Sequence, residues 1–240
     1  TVYEILGTDF DFYYFESMTG EYGYKVVKEH LDQVFKEDQG AVIFKGDEFG
    51  LHTRVFINSQ GLPTYEAKDL GLAIKKKEDF DYDFSYIITG AEQKAYFEVI
   101  FKALEQIEPD LAEKHVHISN GMLDFAQGKM SSRTGNVISV EELISQLTEL
   151  AYEKTAQNIS GVDELQKRVI AQKIAISAVK YAILKQQVGK DISYDRKRSL
   201  QLTGNTGPYL QYSYVRIVSV LQQVDFKWGD FDLKELELLE

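Results

Sequence analysis

The hydrophobic rhythm of the chain changes once. Up to about residue 139, short apolar runs alternate with stretches whose apolar residues recur at helical spacing. Ala41-Val42-Ile43-Phe44 and Val55-Phe56-Ile57 read as strands, as do Tyr86-Ile87-Ile88-Thr89 and Val116-His117-Ile118. Val26, Val27, His30, Leu31, Val34 and Phe35 recur every three or four positions and predict a helix. Ala95, Val99, Phe101, Ala103 and Leu104 predict another, running to about Pro109. Pro63, with no N–H to lose, is placed for the first turn of a helix running towards Lys77. Strands separated by helices favour a parallel sheet, with ligands at the carboxyl ends of its strands.

After Ser139 strand patterns largely vanish. Val140 to about Gln157, Val162 to Val188 and Pro208 to Val224 read as helices. Ala171, Ile174, Ala175, Ala178, Val179, Ala182 and Ile183 form a small-residue apolar stripe suited to close helix packing. The change of character places a boundary near residues 137–141.

Composition narrows the picture little until charge is located. The 240 residues are 44% hydrophobic and 12% aromatic, enough for a packed core. No cysteine is present, which removes disulfide and thiolate chemistry and fits a reducing compartment. No apolar run is long enough for a bilayer span, and no leader pattern opens the sequence. The net charge of -11 argues against a protein coated in nucleic acid. The acid is uneven: no Lys or Arg precedes Lys25, while Lys185, Lys190, Arg196, Lys197 and Arg198 cluster against Asp191 and Asp195. Such a stretch can hold phosphate, or be a solvated helix end. His30, His52, His115 and His117 have no metal-site spacing, so no metal ligand is assigned.

Four stretches carry candidate chemistry. Gly128-Lys129-Met130-Ser131-Ser132-Arg133-Thr134-Gly135-Asn136 brackets two cations and three hydroxyls between glycines. A loop of this kind suits a polyphosphate whose charge grows as a phosphorus bond breaks, and it also reads as an ordinary basic surface loop. In Gly61-Leu62-Pro63-Thr64-Tyr65-Glu66-Ala67-Lys68-Asp69-Leu70, Tyr65 and Asp69 stand four apart and share a helix face. A carboxylate beside a phenol suits a guanidinium; Asp69 could instead pair with Lys68 or Lys75, or face water. Thr89-Gly90-Ala91-Glu92-Gln93 follows a strand, where Gly90 lets backbone approach a ligand and Gln93 either reaches that ligand or caps its own helix. Finally, Thr203-Gly204-Asn205-Thr206-Gly207-Pro208-Tyr209-Leu210-Gln211-Tyr212 opens a helix whose Tyr209 and Tyr212 either stack on bases or pack inward, packing being expected for at least one.

Taken together, in this order and spacing, the four stretches resemble an arginyl-tRNA synthetase, a class I aminoacyl-tRNA synthetase. The Lys129 loop is similar to the class motif Lys-Met-Ser-Lys-Ser, with Ser132 in place of its second lysine. A histidine common three positions after the family's glutamine is replaced here by Tyr96. The resemblance implies an α/β fold: an incomplete, parallel Rossmann-like sheet followed by an all-α helical region. It implies the second half of the catalytic domain over residues 1–138, a helical stem-contact region over 139–204, and the start of a helical anticodon-binding domain over 205–240. It further implies that Tyr65, Asp69 and Gln93 select arginine, and that Gly90, Lys129, Met130, Ser131 and Ser132 bind ATP. Lys129 would act catalytically, with Mg2+ accompanying the nucleotide, and Lys197, Arg198 and Asn205 would meet tRNA. The expected intact enzyme is a cytoplasmic monomer. The class's other nucleotide motif, His-Ile-Gly-His, is not found in this sequence, so the chain reads as a fragment expected to perform the ligation poorly alone. Other readings are a class I synthetase charging cysteine or glutamine, and a non-catalytic tRNA- or protein-binding module derived from a synthetase.

Overall fold

A computed structural model describes residues 2–125, 139–156 and 161–223. In chain order its elements are α1 (Val2–Leu6), α2 (Glu16–Glu29), β1 (Lys36–Asp38), β2 (Ala41–Phe44), β3 (Arg54–Ile57), α3 (Tyr65–Asp79), β4 (Ser85–Gly90) and α4 (Lys94–Ile107). There follow α5 (Pro109–Ala112), β5 (His115–Asn120), β6 (Leu123–Phe125), α6 (Val140–Thr155), α7 (Glu164–Leu184), β7 (Ile192–Tyr194), α8 (Arg196–Ser199) and α9 (Gly207–Leu221). The chain divides into two compact units. One comprises Asp9–Met122 and Val188–Asp191, the other Thr1–Thr8, Leu123–Gln187 and Ile192–Glu240.

The first unit is α/β and centres on a core of Val27, Phe35, Phe44, Phe56, Leu70, Val99, Ile100 and Leu104, all essentially buried. Its strands fall into two sheets. The parallel expectation holds for β4 and β5, which pair in register from Ser85↔His115 to Gly90↔Asn120, with α4 between them in sequence. It fails for β1, β2 and β3, which form an antiparallel sheet in that order. The reason is connection length. Gln39 and Gly40 join β1 to β2 with positive φ at both positions, a two-residue hairpin turn, whereas parallel neighbours need a crossover of about a dozen residues or more.

Two helix expectations are corrected as well. The apolar series from Val26 to Phe35 is not one helix: α2 ends at Glu29, and Phe35 reaches the same core from the irregular segment that follows. Pro63 does not open α3. It bridges Ile57 in antiparallel fashion, and the helix starts two residues later at Tyr65.

The helical unit is built on α6 and α7. Ser139 caps α6 through the Glu142 N–H, and Asp163 and Gln166 form a reciprocal capping box at the start of α7. Ala171, Ala175 and Ala178 are buried against Leu143, Ile144, Leu147 and Ala151, so the small-residue stripe does pack closely. Ile183, read as part of it, is exposed. Strands β6 and β7 pair in parallel. No helix among the described residues is long and apolar enough to cross a membrane.

Candidate functional site

Helix α3 is fixed at its start by the turn that precedes it. Asn58 accepts the N–H groups of Gln60 and Leu62 through its side chain, each at 3.0 Å. Gly61 adopts φ +77, a conformation that suits glycine. The Thr64 hydroxyl then donates to the Val55 carbonyl at 2.7 Å, tying the helix to β3. Along its length α3 lies against α2 with almost no space. A Cβ at Gly23 would stand 1.8 Å from the Ala67 carbonyl oxygen, and one at Gly71 2.6 Å from that of Thr19. Glycines at the crossing thus set the depth at which α3 sits.

This placement brings Tyr65, Asp69 and Gln93 onto one cleft of about 370 Å³, shared with Arg54, Glu66, Glu92 and Tyr96. The competing pairings of Asp69 do not occur. Lys68 reaches Glu16 at 2.6 Å, and Lys75 reaches Asp79 at 2.6 Å. Asp69 instead accepts the Tyr96 hydroxyl at 2.6 Å. Burial pushes the Asp69 carboxyl above the usual carboxylate range, and the Tyr96 hydrogen bond works against that rise. Tyr96 itself is driven far above the usual phenol range, by burial first and the charge of Asp69 second, so it stays a neutral donor. Gln93 occupies the N-cap of α4, yet its side chain makes no capping bond.

The cleft has the charge balance a cation requires. Its carboxylates are Glu66, Asp69 and Glu92; its one cation, Arg54, is paired with Glu66 at 3.1 Å. A planar cation entering beside Tyr65 would meet Asp69, whose Oδ2 accepts the Tyr96 hydroxyl. Gly90 closes β4 and is not among the lining residues; a Cβ there would meet the Glu92 carboxylate at 2.4 Å. Lys129, Met130, Ser131 and Ser132 lie outside the described residues.

A second cleft, of about 330 Å³, lies in the helical unit. Arg198 and Asn205 line it with Tyr181, Lys185, Ser193 and Asp195; Lys197 does not. Asp195 caps the single turn of α8 by accepting the N–H groups of Lys197 and Arg198, and successive side chains on that turn leave about 100° apart. Asn205 is held on both ends: its side-chain oxygen accepts the Tyr181 hydroxyl, and its carbonyl accepts Lys185 at 3.0 Å. Tyr209 and Tyr212 are both exposed, against the expectation that one would pack inward.

His115 and His117 have structural partners. His115 is buried and its Nδ1 lies 2.9 Å from the Leu111 carbonyl, which can only accept, so that nitrogen carries the proton. His117 stacks on Phe97 at 4.7 Å and its Nε2 lies 2.7 Å from the Thr89 hydroxyl. Among the described residues no group of three or more His, Cys, Asp or Glu could hold a metal ion.

The sequence model described as tRNA synthetases class I (R), catalytic domain, matches residues 4–195. The chain belongs to this family. Similar curated proteins are the arginine–tRNA ligase of Flavobacterium psychrophilum, 35% identical over 232 residues, and that of Treponema denticola, 34% identical over 238. The matches cover 94% and 98% of this chain but only 38% and 40% of those relatives, so the chain spans about two fifths of their length. The fold is that of solved arginyl-tRNA synthetases. The Plasmodium falciparum structure matches with a TM-score of 0.76 at 23% identity, covering 94% of this chain and 38% of that one. The Thermus thermophilus structure gives 0.76 at 23%, covering 96% and 45%.

In this class I synthetase chain, sequence reading found three members of the acidic cleft, noted Tyr96 only as a departure from the family's histidine, and missed three: Arg54, Glu66 and Glu92. Glu66 and Glu92 lie inside stretches already singled out, and the i to i+3 spacing from Gln93 to Tyr96 on α4 was available as a signal. Arg54 had none, because it enters from β3 through a tertiary contact.

Proposed function

We propose that this chain supplies the arginine-recognising part of an arginine–tRNA ligase. The convergence of Tyr65, Asp69 and Gln93 on one acidic cleft, in a chain of this family, carries the reading. Asp69 balances the charge of the substrate guanidinium, Tyr65 covers its face, and Gln93 hydrogen-bonds its polar end. In the complete enzyme the arginine carboxylate attacks the α-phosphate of ATP, giving arginyl-adenylate and releasing pyrophosphate. The acyl group then passes to a ribose hydroxyl at the tRNA 3′ end, releasing AMP.

Gly90 and the Lys129-Met130-Ser131-Ser132 stretch serve the nucleotide, with Lys129 neutralising the leaving pyrophosphate. Mg2+ enters with ATP as part of that substrate. Lys197, Arg198 and Asn205 meet tRNA, and the enzyme works in the cytoplasm as a monomer.

The test is arginine-dependent ATP–pyrophosphate exchange, measured with tRNA present in the complete protein. Replacing Asp69 with Asn should raise the KM for arginine roughly 100-fold or more, since a charged hydrogen bond and the charge balance are both lost. Unchanged arginine KM in that variant, or exchange driven equally well by another amino acid, would sink the reading. A non-catalytic module is not favoured, because the relatives cited above carry the name of the ligase along nearly the whole of this chain.

A further inference from the structure

Asp69 meets its described hydrogen-bond donor on a different helix. The Tyr96 hydroxyl, one turn into α4, reaches Oδ2 at 2.6 Å, a short bond of the charge-assisted kind. Tyr96 is not free to choose that position. The Arg54 guanidinium carbon sits 5.2 Å from the centre of its ring, and Arg54 is anchored to Glu66 at 3.1 Å. On its other side the ring meets Phe97 edge-on at 5.1 Å. The Nε of Arg54 is buried without a hydrogen-bond partner, while its Nη1 pairs with Glu66. The hydrogen bond from the phenol restrains rotation of the Asp69 carboxylate.

We infer that Tyr96 is a positioning residue for guanidinium recognition, restraining the orientation of the Asp69 carboxylate through its bond to Oδ2. The inference rests on the reading of this cleft as the arginine site. A guanidinium binds a carboxylate well only when the two planes match, so a carboxylate that rotates freely loses both hydrogen-bond strength and selectivity for a planar cation. Tyr96 lines the same cleft, but its hydroxyl is engaged with Asp69, and it acts through that carboxylate. Its contribution therefore belongs to arginine affinity and not to the phosphate chemistry.

The experiment compares Tyr96→Phe, Tyr96→His and Asp69→Asn in exchange assays on the complete protein, with thermal melting as a fold control. Tyr96→Phe should raise the KM for arginine roughly 10- to 100-fold, the range for losing a hydrogen bond to a charged group, with kcat and the KM for ATP nearly unchanged. Tyr96→His, whose ring N–H can still donate, should recover part of that loss. Should Asp69→Asn weaken arginine while Tyr96→Phe folds and binds it as before, the positioning role is wrong and the site stands. An Asp69→Asn variant with wild-type arginine KM would overturn the site itself. If Tyr96→Phe fails to fold, Tyr96→His decides: an arginine KM raised alone supports the role, and one moved equally with that for ATP refutes it.

Discussion

Gly23 and Gly20 sit on the same face of α2, and replacing each by Ala should move stability in opposite directions. Helix propensity alone favours both changes by up to about 1 kcal/mol, because glycine loses the most backbone freedom on folding. At Gly20 nothing opposes it. The added methyl would meet Lys68 Cγ at 3.5 Å and Pro63 Cγ at 3.6 Å, both ordinary contacts. At Gly23 it would stand 1.8 Å from the Ala67 oxygen and 2.6 Å from its carbonyl carbon, with ordinary contact beginning near 3.4 Å. The obstacle is the backbone of α3, which cannot rotate aside, so the helices must part by on the order of 1.5 Å. A radial gap of half that size already forfeits about a quarter to a half of the dispersion well along the seam where Val27, Ala67 and Leu70 are buried. Overpacking costs about 1–3 kcal/mol, and a rigid obstacle puts this case at the upper end. After the propensity gain, Gly23→Ala should be destabilising by about 2 kcal/mol, while Gly20→Ala is neutral or stabilising by up to about 1 kcal/mol. Urea unfolding of both variants measures the difference directly. Gly23→Ala proving as stable as Gly20→Ala would refute the claim that backbone contact at this crossing sets the position of α3.

Asp69→Asn should gain stability at neutral pH even as arginine binding is lost. Burial holds the folded-state pKa above the unfolded one, so the carboxyl contributes stability below the unfolded value that disappears as pH rises through the folded value. The advantage of Asn over Asp should therefore be present at pH 7 and shrink towards pH 4; a gap that is flat with pH, or of opposite sign, would contradict that. Lys129→Ala should slow adenylate formation roughly 10²–10³-fold in single-turnover assays, a few kcal/mol of barrier, and an unchanged rate would remove its assigned role. Arg198→Glu should weaken tRNA binding and flatten its salt dependence more than Lys197→Glu, because only Arg198 lines the cleft with Lys185 and Asn205. Filter binding at several salt concentrations would show equal slopes for the two variants if cleft position is irrelevant.

Which features were legible in the sequence follows from where the determining contacts lie. Strands β2 and β3 and helices α4, α6 and α7 could be read because their periodicity is local and a core fills one side of each. Strand β1 could not: Lys36, Glu37 and Asp38 are all exposed, so no apolar alternation marks them. Its pairing was nonetheless written in Gln39-Gly40, a turn whose two positive φ values force the chain back antiparallel. The same logic separates the sheets. Residues 91–114 are long enough for a parallel crossover; residues 45–53 do not make one, and β2 and β3 pair antiparallel. Spacing that looked helical from Val26 to Phe35 reflected burial in one core from two different backbone geometries, with Asp32 at φ +61 marking the break.

The site divides along the same line. Tyr65 and Asp69 share a face four residues apart, so their partnership is a property of one helix and needs no fold to be seen. Their chemistry does need the fold. In sequence, Asp69 had Lys68 and Lys75 nearby, and a pairing with either would have neutralised the charge a guanidinium requires. Glu16 and Asp79 remove those lysines, one from α2 and one from the end of α3 itself. Tyr96 then supplies a neutral donor where a lysine would have supplied a competing cation. If the cleft holds arginine as proposed, its selectivity would depend on these ion pairs as well as on the residues that line it. That dependence makes Glu16→Gln informative: releasing Lys68 towards Asp69 should weaken arginine binding without touching the cleft lining. An arginine affinity unchanged in Glu16→Gln, measured by calorimetry, would mean that the roughly 100° between adjacent side chains of α3 already keeps Lys68 from the carboxylate.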